Sequence, residues 1–440
     1  MTAPSPPPAP TDEVVRICRD LLRIDTTNTG DPLTSVGERV AAEYVADQLA
    51  EVGVTSTIVE SAPGRASLVA RISGTDPSRG ALLVHGHLDV VPADASEWSV
   101  PPFAGELRDG YLWGRGAIDM KDFDAMVLAV VRDWQRSGTR PPRDIVLAFT
   151  ADEEAGGRYG AHHLVQWHSG LFDGCTEAIG EVGGFSYTVS DDLRLYLIET
   201  AEKGINWLRL HTRGRPGHGS MMHDDNAVTA LCEAVARLGR HSFPIVVTPT
   251  VRDFLAEVSD LLGIEFDPDD PESTIAKLGP IANIIGATVR NTANPTRLDA
   301  GYKENVIPGR ASATIDCRVL PGQETQFLAE LRQLIGPDVA IEHVERQPAI
   351  ETSFDGALVD AMAAALRHAD PGARTVPYML SGGTDAKAFR QLGIRCFGFT
   401  PLRLPAELNF SALFHGIDER VPVEGLQFGV HVLDRFLRQS

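Results

Sequence analysis

Imidazole and carboxylate side chains follow several apolar segments of this 440-residue sequence. The segment LLVHGHLDVVP carries His87 and Asp89, TADEEAGG carries Glu153 and Glu154, and IGEVGG carries Glu181. Imidazole nitrogens and carboxylate oxygens without thiolates are a ligand set that suits zinc, or a similar cation such as cobalt or manganese. These segments together predict a metal site.

His87 and Asp89 lie two residues apart on a predicted strand, so their side chains emerge on the same side. This spacing suits a histidine ligand whose tautomer is set by a nearby carboxylate. A strand end with incidental polar residues would show the same spacing. Glu153 and Glu154 are adjacent like charges beside a buried segment, where a nearby cation would relieve their repulsion.

Two further segments extend the ligand set. GRGAIDMKD places Asp119 where a glycine-rich turn enters a helix, and FHGIDERV places His415 before the last predicted helix. As a single residue, Asp119 could equally be an ordinary helix cap. The carboxylates of Asp119, Glu154 and Glu181, with one bridging hydroxide, would balance the charge of two dications. This charge balance favours two ions over one.

Apolar periodicity around these segments predicts an α/β fold with a mostly parallel central sheet. Short β-rich segments such as ALLVHGH, DIVLAFT and EAIGE alternate with helical ones, including a helix from about Lys121 to Trp134. Strand, helix and strand in succession imply parallel pairing. In such sheets, ligand-binding groups gather at the carboxyl ends of the strands. His87, Glu153 and Glu181 are all predicted to lie at such ends.

A change of pattern divides the chain into two predicted domains, as its length favours. An inserted α+β domain is predicted for 203–348, where strands and helices could form a separate layer. The catalytic domain would then consist of 12–202 and 349–440. The proline-rich residues 1–11 are predicted to form a disordered head.

The composition argues against several classes of partner. Sixty acidic and forty basic residues give a net charge of −20, and such a surface would repel nucleic acid. There is no secretion signal at the start and no apolar run near the roughly 18 residues of a spanning helix, so we expect a cytoplasmic protein without membrane contact. Five scattered cysteines without CxxC spacing are typical of reduced thiols.

Five motifs, in this order, resemble those of a two-zinc amidohydrolase and peptidase family. They are HGHLD, GRGAIDMKD, TADEEAGG, IGEVGG and FHGIDERV, and the resemblance runs from about Asp12 to the C-terminus. The family includes aminoacylase, carboxypeptidase G, carboxypeptidase S, carnosinase-type dipeptidases and succinyl-diaminopimelate desuccinylase. The resemblance implies a zinc-peptidase-like catalytic domain and an inserted α+β, ferredoxin-like domain that acts as a lid and in dimerisation.

The resemblance also implies a role for each residue of the site. Asp89 would orient its histidine, Glu153 would be the general base, and Asp119 would bridge two Zn²⁺ ions, for which Co²⁺ or Mn²⁺ could substitute. His85 matches no ligand position and is interpreted as structural. The implied metal ligands are His87, Asp119, Glu154, Glu181 and His415.

Substrate contacts are implied by three further segments. RGRPGHGS points to His218 as the oxyanion donor, which in this family often reaches the site of the partner subunit. KENVIPGRASATIDCR suggests Asn305 and Arg318, and the arginine could grip a carboxylate. The amides of Gly382 and Gly383 in SGGTDAK could bind the same carboxylate. A strand-edge salt bridge for the arginine and a plain turn for the glycines are equally compatible with the sequence.

The implied activity is hydrolysis of an amide bond in an N-acyl amino acid or short peptide with a free carboxylate. A hydroxide bridging the two ions would attack, with Glu153 as the base. A dipeptidase or carboxypeptidase of the same family is an alternative, as is a non-catalytic binding protein on this fold. A serine hydrolase would need a GxSxG segment, which the sequence lacks. Asp122 stands where the family often has glycine.

Overall fold

The computed structural model describes residues 8–440. Residues 1–7, most of the predicted disordered head, lie outside the described residues. The first helix already begins at Pro10, within the predicted head. Proline suits the first position of a helix, where its missing N–H breaks no helical hydrogen bond.

Twelve α-helices and nineteen strands are found in the described residues. The helices are α1 (Pro10–Leu22), α2 (Arg39–Ala50), α3 (Lys121–Ser137), α4 (Ala161–Trp167), α5 (Ala227–Arg240), α6 (Pro249–Leu262), α7 (Pro271–Lys277), α8 (Ala282–Ile285), α9 (Glu324–Ile335), α10 (Ala357–Ala369), α11 (Ala386–Phe389) and α12 (Val423–Leu437). The strands are β1 (Ser56–Ala62), β2 (Arg65–Ile72), β3 (Ala81–His87), β4 (Glu106–Arg108), β5 (Tyr111–Trp113), β6 (Ile145–Thr150), β7 (Cys175–Gly180), β8 (Ser186–Ser190), β9 (Leu193–Glu202), β10 (Gly204–Arg213), β11 (Gly217–His218), β12 (Thr292–Ala300), β13 (Val306–Ile307), β14 (Arg310–Val319), β15 (Ala340–Gln347), β16 (Ile350–Glu351), β17 (Ala373–Leu380), β18 (Arg395–Gly398) and β19 (Arg420–Pro422).

The chain divides into two compact units. The first comprises residues up to Glu199, Phe354–Val376 and Thr384–Ser440, and the second comprises Thr200–Ser353 and Pro377–Gly383. The second unit begins slightly before the predicted insert 203–348 and also includes a short later segment. Strands β9 and β17 each continue from one unit into the other.

A twisted sheet forms the centre of the first unit, in the order β1-β2-β6-β3-β7-β18-β9. Its middle strands pair in parallel, β3 with β6 and with β7, and β18 with β7. The strands that flank this parallel core pair antiparallel. Every residue of β3 and β6 is buried, as expected for strands covered on both faces. The predicted α/β class is confirmed.

Helices α1, α3 and α12 pack against one another beside this sheet. Each has an apolar face of residues that are almost inaccessible to solvent, such as Leu21, Trp134 and Phe436. Helix α3 ends at Gly138, whose left-handed conformation (φ 73°) stops the helix without the steric cost that a side chain would add. This packing fixes the start of α3, which begins two residues after Asp119.

The second unit contains a ferredoxin-like arrangement. Its antiparallel sheet has the order β12-β14-β10-β15, and α5 and α9 cover one face through a core that includes Leu210, Leu231 and Phe327. The chain order of strand, helix, two strands, helix and strand confirms the predicted α+β class. Helices α6 to α8 lie between α5 and β12 along the chain.

No helix among the described residues combines the length and the apolar character that crossing a bilayer requires.

Candidate metal centre

Three neighbouring strands deliver ligand groups to the same edge of the sheet. His87 is the last residue of β3, Glu153 and Glu154 form a 3₁₀ turn just after β6, and Glu181 follows β7. Because β6, β3 and β7 are adjacent and parallel, their carboxyl ends meet at one edge. The sheet topology therefore brings together the groups that the sequence predicted to converge there.

Two loops bring the remaining predicted ligands to this edge. Asp119 precedes α3, joined to Met120 by a cis peptide bond, and it does not cap the helix. His415 lies in the loop before β19. The two loops are tied together by a buried ion pair, in which the Arg115 guanidinium lies 2.6 Å from a Glu419 oxygen.

The Asp119 carboxylate faces both imidazoles. Its Oδ1 lies 3.0 Å from Nε2 of His87, and its Oδ2 lies 3.2 Å from Nε2 of His415. The same His87 nitrogen is 3.6 Å from Glu181, and the same His415 nitrogen is 3.1 Å from Glu154. The site therefore has two halves, one with His87 and Glu181 and the other with His415 and Glu154. Both halves share Asp119.

These groups fit a metal centre. Ligand atoms of His87, Asp119 and Glu154, and likewise those of His87, Glu153 and Glu181, all lie within 4.8 Å of one another. Oε1 of Glu154 is buried and has no hydrogen-bond partner among the described residues. An unpaired buried carboxylate oxygen is costly, and a bound cation would satisfy it. Borderline dications prefer this mixture of imidazole and carboxylate.

The titration behaviour of the cluster reflects burial and mutual charge. Burial raises the pKa of Glu181 to about 7, although His87 opposes this change. Burial, reinforced by the charge of Glu181, raises the pKa of Glu153 well above its usual range. Hydrogen bonds to Asp119 and Glu154 raise the pKa of His415 to about 10. A carboxyl group with a raised pKa is suited to proton transfer near neutral pH.

Backbone strain is concentrated beside these residues. Asp152, Val182 and His415 have φ values of 67°, 57° and 56°, a left-handed region that residues other than glycine rarely adopt. Each lies within the site or next to one of its carboxylates. Strain of this kind persists only where surrounding contacts enforce it, and it is common at functional sites.

Asp89 contacts the site differently from the arrangement that the sequence suggested. Nδ1 of His87 lies 2.9 Å from the main-chain oxygen of Asp89, whereas the nearer carboxylate oxygen is 3.7 Å away. The carboxylate instead accepts hydrogen bonds from the amides of Glu153 and Glu154, both at 3.1 Å. The main chain of Asp89 is therefore placed to set the imidazole tautomer, and its side chain is bonded to the glutamate turn.

The predicted substrate residues lie in the second unit. His218 pairs with Val306 in the short β11-β13 ladder, so it lies next to Asn305. Arg318 forms an ion pair with Asp316, at 2.8 Å, which is the alternative that the sequence left open. Gly382 and Gly383 are half-buried in the loop after β17. Their substrate roles stay predictions.

His85 and Asp122 are both buried away from solvent. The His85 ring packs against Phe389 with ring centroids 4.9 Å apart, and burial lowers its pKa to about 3, which suits an uncharged core residue. Asp122 lies in the first turn of α3, and its carboxylate oxygens have no hydrogen-bond partner in the described part of the chain. The residue that departs from the family pattern is thus a helix residue and not part of the preceding loop.

Several residues near the site were not singled out from the sequence. Asp385, in the quoted segment SGGTDAK, accepts a 2.5 Å hydrogen bond from Thr150 at the end of β6. Asp152 precedes the tandem glutamates and forms a 2.6 Å ion pair with Arg65. Both aspartates lie within the quoted motifs, next to residues that were assigned roles, and this proximity in the sequence could have identified them.

We expect Glu419→Ala to lower the free energy of unfolding by about 3–5 kcal/mol, because it would leave the buried Arg115 without its partner. It would also remove the acceptor of the Ile118 amide, 2.8 Å away. Urea denaturation followed by circular dichroism measures the effect, with Glu419→Gln as the control that keeps the side-chain shape. A loss below about 1 kcal/mol, the range of an exposed pair, would contradict the role of this ion pair.

The parallel sheet, the ligand groups at its carboxyl edge and the ferredoxin-like unit together define a metal-dependent hydrolase. The chain belongs to Peptidase family M20/M25/M40, whose family model matches residues 83–439. The family resemblance inferred from the five motifs is confirmed.

Curated relatives match over most of both chains. The N-fatty-acyl-amino acid synthase/hydrolase PM20D1 of Xenopus tropicalis is 27% identical over 97% of this chain and 86% of its own length. The probable carboxypeptidase S-like 2 of Dictyostelium discoideum is 30% identical over 81% and 71%, respectively. Aminoacylase-1 of Pongo abelii is 27% identical over 96% and 94%. Family and relatives identify the chain as a metal-dependent amide hydrolase.

Solved structures share the whole fold. The M20 family metallo-carboxypeptidase Sso-CP2 of Sulfolobus solfataricus superposes with a TM-score of 0.73 at 18% identity, over 97% of this chain and 99% of that one. The YXEP protein of Bacillus subtilis, described as a dinuclear metal-binding peptidase, gives 0.63 at 14% identity, with 98% of each chain covered. At these identities, the likeness establishes the fold.

Proposed function

We propose that this protein uses two zinc ions to hydrolyse the amide bond of an N-acyl amino acid or short peptide with a free carboxylate. The observation that carries the proposal is the position of Asp119, whose two oxygens face His87 and His415 separately, at 3.0 and 3.2 Å. A carboxylate placed in this way can serve two ions at once.

Each half of the site supplies a similar set of ligands. His87 and Glu181 would hold one ion, His415 and Glu154 would hold the other, and Asp119 would be shared. When bound, the ions would supply Lewis-acid activation of a water molecule and of the amide carbonyl. Cobalt or manganese could replace zinc, because their ligand preferences overlap.

Glu153 is proposed to move the proton. It lies beside the ligands, and burial raises its pKa, so it can take a proton from the attacking water and hand it to the departing amine. Its main-chain amide is bonded to Asp89, which holds the turn from which the side chain projects. His218 would donate a hydrogen bond to the oxyanion.

The relatives support the substrate class. One is named for N-fatty-acyl-amino acids, one is aminoacylase-1 and one is carboxypeptidase S-like. Substrates of all three kinds could present an amide next to a free carboxylate, which Arg318 and the amides of Gly382 and Gly383 are proposed to bind. The same class covers the alternative activities, dipeptidase and carboxypeptidase.

Three substrate series test this function, each as the free acid and as the C-terminal carboxamide: N-acetyl amino acids, long-chain N-acyl amino acids and dipeptides. We expect metal-dependent hydrolysis in at least one series, with kcat/KM at least about ten-fold lower for the carboxamide, because groups built for a carboxylate are then left unpaired. Equal rates for acid and carboxamide would contradict the carboxylate site. No hydrolysis in any series would contradict the proposed activity.

The homodimer through the inserted unit and the cytoplasmic location stay proposals. The resemblance implies the dimer, and static light scattering of the purified protein tests it directly.

A further inference from the structure

We infer that Asn28, Arg65 and Asp152 are positioning residues that hold the Glu153–Glu154 turn in its catalytic geometry. The inference rests on the proposed function, because it assigns these residues to the general base of that reaction. Among the described residues, none of their side-chain hydrogen bonds and ion pairs involves a side-chain atom of a predicted metal ligand. They act through the main chain on which the two glutamates are carried.

The side-chain amide of Asn28 donates hydrogen bonds to two buried carboxylates, those of Asp89 and Asp152. Its Nδ2 donates to Asp89 at 2.8 Å and to Asp152 at 3.2 Å. Its Oδ1 accepts from the amide of Gly30 at 3.0 Å and from the hydroxyl of Ser35 at 3.1 Å. These acceptor contacts fix the orientation of the amide group, so its donor side must face the carboxylates.

Each of the two carboxylates is bonded to a different part of the turn. Asp89 accepts from the amides of Glu153 and Glu154, both at 3.1 Å. Asp152 accepts from the amide of Tyr159 at 2.8 Å, beyond the glutamates. Asn28 therefore connects Asp89, which accepts from the glutamate amides, to Asp152, which begins the same loop and is bonded to its far end at Tyr159.

Arg65 completes the connection. Its guanidinium lies 2.6 Å from Asp152 and 2.9 Å from Glu38, and the side chains of all three are at most 6% exposed. The contact with Asp152 is a hydrogen bond, whereas the contact with Glu38 is an ion pair by distance only. A charge-assisted hydrogen bond between groups removed from water is geometrically demanding and holds its partners in place. Arg65 thereby anchors Asp152 to the start of α2.

The conformation of Asp152 explains why such support is needed. Its φ of 67° and ψ of 14° are left-handed, a geometry that a non-glycine residue maintains only under constraint. The residue immediately precedes Glu153, so a relaxed backbone here would redirect the base. A catalytic side chain displaced by about 1 Å can lose roughly a hundred-fold in rate.

The test compares Asn28→Leu with Thr26→Val. The leucine keeps the branched shape of Asn28 but removes both donor contacts together with the acceptor contacts to Gly30 and Ser35, and we expect kcat to fall about 10- to 100-fold with KM nearly unchanged. Thr26 is equally buried and donates a 2.7 Å hydrogen bond to Leu88 O, outside the Asn28 contacts, so its variant controls for lost stability. Both are assayed with saturating Zn²⁺ and their metal content is measured.

A second measurement separates positioning from structure. Because Asn28 acts through Glu153, adding Asn28→Leu to Glu153→Gln should lower kcat no further, whereas independent effects would multiply. A multiplicative loss, or a kcat for Asn28→Leu equal to that of Thr26→Val, would overturn the inference and leave the proposed function intact. If Glu153→Gln alone keeps full activity, the proposed base and this inference both fail.

Arg65→Lys tests the same connection should the leucine variant not fold. Lysine keeps the charge, but its amino nitrogen is one bond closer to the main chain than the single guanidinium nitrogen that contacts both Asp152 and Glu38, so it should not reach both carboxylates. We expect a fall in kcat in the same direction, again absent in the Glu153→Gln background. An unchanged kcat would overturn the inference.

Discussion

Replacing Glu153 with glutamine should reduce kcat by roughly a hundred- to ten-thousand-fold, the usual contribution of a general acid–base group. Glutamine keeps the shape of the side chain but cannot accept the proton from water or return it to the amine. Since Glu153 is not one of the proposed ligands, metal content should remain at that of the unsubstituted protein. Steady-state kinetics combined with elemental metal analysis measures both quantities.

Glu153→Asp is the matched control for this prediction. It restores a carboxyl group on a shorter side chain, so it should recover part of the lost rate. A glutamine variant that keeps more than about a tenth of the activity would rule out the role of base, given the expected size of that contribution.

Asp119→Ala should lower activity by about a thousand-fold or more, equivalent to the several kcal/mol that bound metal contributes to charge stabilisation. The two carboxylate oxygens of Asp119 face the two histidines of the site separately. Its loss should therefore weaken binding of both ions. Metal analysis after equilibration at limiting zinc measures the occupancy.

His415→Ala is compared with Asp119→Ala, because the two variants should differ in the number of ions that they lose. His415 contacts Asp119 and Glu154, in only one half of the site, so its removal should cost one ion. Asp133→Ala is the control. Asp133 lies in α3, the helix that follows Asp119, but outside the site, so this variant should keep both ions. Equal metal content in Asp119→Ala and Asp133→Ala would contradict the shared-ligand role.

The sequence was most informative where the site is built from strand ends. His87, Glu153 and Glu181 each follow an apolar segment, and parallel pairing brings such ends together without any long-range information. The α+β class of the inserted unit was also predicted from the order of its strands and helices, whereas its ferredoxin-like arrangement was implied by the family resemblance. The strand-end groups and the α+β class both follow from local patterns.

The supporting contacts could not be predicted in the same way. Asn28 and Asp152 are 124 residues apart, and nothing in either local segment indicates that they meet. Asp89 was assigned through its spacing from His87, but spacing alone does not distinguish a main-chain oxygen from a carboxylate oxygen as the partner of the imidazole.

The proposed dinuclear site is tested most directly by adding Zn²⁺ to chelator-treated protein while hydrolysis of the preferred substrate is followed. The proposed two-ion site predicts negligible activity without metal and a rise that saturates at two equivalents of zinc per chain. Full activity in the metal-free protein, or saturation at one equivalent, would contradict it.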